Sequence, residues 1–229
     1  MKPISSAFIF AGLALTFLVL PMAASAQGAH GNPGVSSPEA NYLGLSYGEW
    51  AARWWQWVFS IPGDSDHPFN PGGDVLQNQA GNVWFLVGVF GFEEREITIP
   101  AGKALFFPVL NVECSTLEAE PFHGDDAPSL SACANGYLDQ TSGLACEIDG
   151  KSVKSLASFR TESPMFTFGP LPDPNLYGLP VGATGQAVDA GFYVMLPPLG
   201  VGEHTIHFSG TFDVFEASID TTYNVTVEP

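Results

Sequence analysis

Two periodicities divide this chain. Between residues 45 and 62, LSYGEWAARWWQWVFSIP, polar side chains recur at helical spacing, and Glu49, Arg53, Gln56 and Ser60 fall on one narrow stripe. The rest of the wheel is apolar or small. Trp50, Trp54, Trp57 and Ile61 lie on one flank, Tyr47, Ala51 and Val58 behind, Trp55 and Phe59 on the other. The apolar arc covers roughly 200°, against the ~100° stripe of a surface helix. Such a helix is buried over most of its circumference. Ser46 with Glu49 three residues on predicts a capping box, Pro62 predicts the stop, and Glu49 to Arg53 is the favourable order for an i, i+4 ion pair.

Elsewhere the period is two. In 83–91 (VWFLVGVFG) and 104–110 (ALFFPVL) both alternating sets are apolar, so these strands need a cover on each face, and the Trp-rich helix is the candidate for one cover. Strands are also expected at 94–99 and 103–114, joined by a Pro100-Ala101-Gly102 turn. A short helix capped by Ser129 is expected to run to Tyr137. Asp149-Gly150 marks a hairpin in 146–153. Short strands follow at 158–161 and 165–168, then a long Pro/Gly loop at 169–190, a length that is uncommon without a role. Strands at 191–196, 203–212 and 221–227 close the chain. In the last two, Ile206, Phe208, Phe212, Tyr223, Val225 and Val227 face in, while Thr205, His207, Ser209, Thr211, Thr222, Asn224 and Thr226 face out. The expectation is an all-β fold: an antiparallel, jelly-roll-like β-sandwich with one N-terminal amphipathic helix packed on a sheet.

The ends of the chain set the compartment. Residues 1–26 read as a secretory signal peptide, with Lys2, an apolar run over 7–20 and Ala24-Ser25-Ala26 at the cleavage site. Residues 27–44 read as a flexible leader and 45–229 as a single domain. The apolar run is short for a bilayer span and no later segment is longer, so no membrane span is expected. The formal charge is −17, and without Lys2 there are 24 acidic against six basic side chains. That balance argues against nucleic acid as a partner. The acids are scattered and form no EF-hand loop, which leaves a bound divalent cation without support, and no cofactor or metal site is expected. Three cysteines, Cys114, Cys133 and Cys146, imply one disulfide and one thiol left over, free or intermolecular, with three pairings open.

The stretches YGEWAARWWQWVFSIP, NVWFLVGVFG, IPAGKALFFPVLNVEC, LPPLGVGEHTIHFSG and TTYNVTV together resemble a group of exported bacterial proteins that have no assigned activity. The resemblance spans most of the chain after residue 26 and implies a full-length member. It carries over no catalytic residue. It implies a Cys114–Cys133 disulfide with Cys146 unpaired, and the loss of a second bridge of the group, whose positions fall near Val75 and Glu96.

Candidate chemistry is thin. His204 and His207, three apart on a strand, point to opposite faces and cannot share a metal. No G-x-S-x-G elbow is present. Arg53 and Arg160 sit among apolar residues and need acidic partners, Glu49 for the first and Asp189, Asp173 or Glu162 for the second. The leading reading is a non-catalytic binding or envelope-associated protein for an extracellular polymer such as a glycan, using Gln56, Arg160 and His207, with Thr205, Ser209 or the 172–178 loop. The alternative is a secreted hydrolase with its pocket between the Trp-rich helix and the 169–190 loop, drawing on Glu49, Arg53 and His123. A third is assembly through an intermolecular Cys146 disulfide.

Overall fold

The computed structural model describes residues 32–229; the expected signal peptide at 1–26 lies outside the described residues. The helix α1 (Tyr47–Ser60) starts with the expected capping box: the Ser46 hydroxyl accepts the Glu49 amide at 3.3 Å, and the Glu49 carboxylate accepts the Ser46 amide at 2.8 Å. Its four indole N–H groups each find a partner outside the helix. Trp50 donates to the Tyr42 carbonyl, Trp54 to Leu86, Trp57 to Gln77, and Trp55 to the carboxylate of Asp189. The rings are thereby fixed in place as well as buried.

Two five-stranded sheets stack against each other. The first contains β1 (Val83–Phe85), β3 (Ala104–Ser115), β8 (Gly185–Leu196) and β6 (Arg160–Glu162) in that order, with β7 (Phe166–Phe168) also paired to β8. The second runs β2 (Gly91–Pro100), β10 (Ala217–Glu228), β9 (Gly202–Phe212), β4 (Thr141–Ile148) and β5 (Lys151–Ser152). Between the sheets, Phe107 stacks on Phe208 at 5.0 Å and Leu110 fills the space left by Gly210. On the other face of the first sheet, Phe106 stacks on Tyr193 at 5.0 Å, and Tyr47, Trp50 and Trp54 pack on this pair. The helix is the cover that the doubly apolar strands require.

The sandwich with its packed helix matches the expectation, with differences that have physical reasons. The pairs β1/β3 and β2/β10 are parallel, so the sheets are mixed where purely antiparallel pairing was expected. The 83–91 run is one strand only as far as Phe85. Residues 86–90 then cross to the second sheet, where the Val87 amide donates to the Tyr223 hydroxyl, the Val89 amide to the Thr221 hydroxyl, and Phe90 bridges Ile219. This crossing through the core accounts for apolar residues on both sides. The strand expected from residue 191 begins at Gly185, which shortens the loop before it. Asp126 caps α2 (Ala127–Leu138), with Ser129 as the other half of its capping box.

From Asn32 the segment expected to be a flexible leader is tied down: the Ser36 amide donates to the Met195 carbonyl, the Tyr47 hydroxyl to the Ser36 carbonyl, and the Lys154 amide to the Asn32 side chain. The Cys114–Cys133 disulfide joins β3 to α2. Cys146 is 1% exposed and burial pushes its thiol up to about 12, so the proposed intermolecular bridge has no accessible sulfur. No helix among the described residues is long and apolar enough to cross a membrane.

Candidate functional site

The chemistry collects on the helix-covered face of the first sheet. A β-bulge between Pro108 and Leu110 shifts the alternation of β3. After it, Leu110 points between the sheets, while Asn111, Glu113 and Ser115 share the face that lies under α1. Opposite them on β8 stand Gly191 and Asp189, with Glu113 directly across from Asp189.

Asp189 is fully buried, and its carboxylate accepts from Trp55 Nε1 at 2.7 Å, the Tyr193 hydroxyl at 2.9 Å and Asn111 Nδ2 at 3.2 Å. Asn111 also donates to Tyr193 at 2.8 Å. Tyr193 reaches over Gly191, where a Cβ would come within 2.6 Å of both the Tyr193 ring and the Asn111 Cβ. Glycine is required there for this network to close. Burial pushes the Asp189 carboxyl up to about 7, and the three donors hold it from rising further.

Next to this network is a carboxyl pair. Glu113, 6% exposed, accepts the Tyr177 hydroxyl at 2.8 Å through Oε2, and its Oε1 is buried with no donor in reach. Its remaining neighbour is the carboxyl of Glu118, itself bonded to the hydroxyl and turn geometry of Ser115. Burial is the main cause that raises both: Glu118 goes up to about 7, and Glu113 rises well above the ordinary range, helped by the Glu118 and Asp189 charges. Like charges held this closely cannot both ionise cheaply, so the pair retains a proton.

The pair sits in a cleft of about 350 Å³ whose lining combines Trp55 and Phe59 of α1, Phe69, Phe122, Leu176 and Tyr177 from three loops, Phe212 of β9, Phe90 just before β2 and Phe215 in the 3₁₀ turn after β9. Trp55 stacks on Phe59 at 5.2 Å, and Phe59 meets Tyr177 at 5.3 Å. The polar groups of the lining are Asn111, Glu113, Glu118 and the Tyr177 hydroxyl; it contains no Ser, Thr, Cys, His, Lys or Arg. The volume falls in the range of small-molecule sites, and an apolar wall with a few convergent polar groups is their usual composition.

The residues singled out from the sequence lie elsewhere. Glu49 is engaged with Ser46 and makes no ion pair with Arg53, whose guanidinium instead rests 5.3 Å over the Trp50 ring. A surface stripe in water gains little from closing that pair. Gln56 is exposed and donates to the Thr167 carbonyl. Arg160 binds Asp139 at 2.6 Å and Asn135 at 2.8 Å, and none of the three acids expected for it. The buried arginine is Arg95, which donates to the Pro68 and Asn70 carbonyls and pairs with Glu93 at 3.2 Å. His123 approaches the cleft only from behind, its ring against the Glu118 carbonyl and Asp125. His207 faces out and meets Asp220 at 2.9 Å, and His204 meets Asp149 at 2.9 Å. Among the described residues no three His, Cys, Asp or Glu side chains gather as a metal site.

Glu113 carries a sequence signal: in LNVECS, Asn111, Glu113 and Ser115 stand two apart inside an otherwise apolar strand, which places them in a row on one face. Asp189 and Glu118 lie in stretches that read as loop. No protein-family model matches this chain, and comparison with curated proteins and with solved structures finds no match.

Proposed function

We propose that this is an exported, non-catalytic binding protein whose ligand enters the aromatic cleft with its apolar part. Export rests on the signal-like residues 1–26, and the Cys114–Cys133 disulfide supports an oxidising compartment. The observation that carries the binding role is the cleft itself: aromatic rings from the helix, three loops and the second sheet converge on one concavity whose hydrogen-bonding groups are confined to Asn111, Glu113, Glu118 and Tyr177. An exposed apolar concavity of this kind is maintained against its cost in water because something occupies it. The hydrolase alternative places its pocket between α1 and the 169–190 loop, of which residues 169–184 remain loop. Its residues Glu49, Arg53 and Gln56 do not reach the cleft, and no Ser, Thr, Cys, Lys or His lines it.

Uptake of the neutral fluorophore Nile red tests the reading. Wild-type protein is expected to bind it with a blue-shifted emission. Val112, 7% exposed, also lines the cleft, and Val112→Trp, which fills it, is expected to abolish that signal while leaving the melting transition cooperative. Equal uptake by both proteins, or none by the wild type, removes the cleft as the site. A second reading, a glycan on the polar face, is favoured by a groove of about 550 Å³ lined by Glu96, Thr98, His204, Thr205, Asn224 and neighbouring residues. Retention on a polysaccharide resin that is lost on Thr205→Lys supports it, and absence of retention across a glycan panel dismisses it.

A further inference from the structure

We infer that the ligand of the aromatic cleft is an organic cation: an aromatic or aliphatic body carrying an N–H-bearing ammonium that seats against the Glu113–Glu118 carboxyl pair. This rests on the cleft being the binding site and names the class of molecule it takes. Three independent features point the same way. First, Glu113 lines the cleft, its Oε1 is buried, and the one donor the protein offers it is the proton held with the Glu118 carboxyl. An ammonium N–H takes the place of that shared proton as donor, where a quaternary nitrogen does not. Second, two carboxyl groups face the cleft and no Lys, Arg or His lines it, so its fixed charge is wholly negative. An anionic ligand is repelled there, and a cation replaces the proton that the pair would otherwise retain. Third, Trp55, Phe59 and Phe69 line the same cleft as the pair, Trp55 and Phe69 being 6.1 Å apart. Ring faces attract cations, most strongly where water is excluded. The formal charge of −17 adds a long-range field of the matching sign.

The groups that face the pair are Tyr177 from the loop before β8, Asp189 across the strand, Ser115 beneath Glu118, and the His123 ring on the Glu118 carbonyl. None of them is a Lys or Arg. An alcohol of the same shape satisfies Oε1 but not the charge, so comparing the two separates simple occupancy from cation recognition.

The test is calorimetric titration of the intact protein with 2-phenylethylammonium, 2-phenylethanol and 3-phenylpropionate at pH 8 and pH 5. The ammonium is expected to bind about tenfold or more tightly than the alcohol at pH 8, to lose that advantage at pH 5 as the pair takes up protons, and the carboxylate is expected not to bind. Glu113→Gln, which keeps the shape and removes one of two facing charges, is expected to weaken the ammonium about tenfold and leave the alcohol within about threefold. Glu118→Gln serves as the second variant. Equal binding of ammonium and alcohol, or an ammonium affinity unchanged in both variants, overturns the inference and leaves the cleft as an apolar site. Binding by none of the three overturns it as well, and the Nile red result then decides whether the cleft reading falls with it.

Discussion

On the outer face of the second sheet, Thr205, His207, Ser209 and Thr211 alternate with buried Ile206, Phe208, Gly210 and Phe212 and meet water. On the outer face of the first sheet, Asn111, Glu113, Asp189 and Tyr193 occupy the same kind of alternate position but lie beneath α1 and its flanking loops. The strand pattern is the same on both sheets, and the cover makes the difference. Polar groups on the open face are satisfied by water and by local pairs such as His207–Asp220, which solvent and salt screen. On the covered face every donor must be matched within the protein. Burial there raises the carboxyl groups towards neutrality and leaves Glu113 Oε1 with only the Glu118 carboxyl beside it. Chemistry concentrates where a polar row has been roofed over.

The largest expected effect tests the roof. Trp54 is 1% exposed and its indole N–H holds the Leu86 carbonyl at 2.8 Å. Trp54→Ala should cost about 3–5 kcal/mol in urea denaturation, whereas Thr222→Ala on the open face should stay within about 0.5 kcal/mol. Next comes the clasp beside the covered row. The disulfide closes a sequence separation of 19 between β3 and α2, so Cys114→Ser with Cys133→Ser should lower stability by about 3 kcal/mol. Reduction of the wild type should reproduce the loss.

The third prediction turns on pH. Burial raises the Asp189 carboxyl from 3.8 to about 7, so the folded state holds a proton that the unfolded chain gives up earlier. The stability it contributes is complete below pH 3.8 and lost as pH rises through about 7. Glu118, raised to about 7 by burial, acts in the same sense. His67, lowered by burial, acts against them, since its share is lost as pH falls. Asp189 alone should make the protein about 2–3 kcal/mol more stable at pH 5 than at pH 8. Asp189→Asn, followed by chemical denaturation at both pH values, should shrink the difference by that amount. The smallest effect belongs to the open face: His207→Ala should change stability by about 0.5 kcal/mol or less, and added salt should erase even that.

Much of the architecture could be read from periodicity. The wide apolar arc of 45–62 demanded burial, and the doubly apolar 104–110 run demanded two covers. The clean alternation in β9 and β10 set which residues face out, as found. The site was harder to read for a physical reason. The charged residues that stand out in the sequence, Glu49 and Arg53 on the helix stripe and Arg160 in β6, are ones that solvent reaches. Gly185 to Ala190 carries no strong strand signal, so the place of Asp189 opposite Glu113 follows only from the pairing of β8 with β3. The bulge at Pro108, which turns Asn111 and Glu113 towards the helix, also leaves no mark in a two-residue period. The shift of Arg160 to Asp139 depended on where α2 ends, a tertiary fact.

The most direct measurement is a ¹³C NMR titration of the glutamate side-chain carboxyls, with Glu113 and Glu118 assigned through their Gln variants, in the presence and absence of 2-phenylethylammonium. The account predicts that both carboxyls titrate above the ordinary glutamate range in the free protein, and that the bound cation moves their midpoints down as it takes the place of the retained proton. Midpoints in the ordinary range, or midpoints that do not move when the ammonium is added, would contradict it.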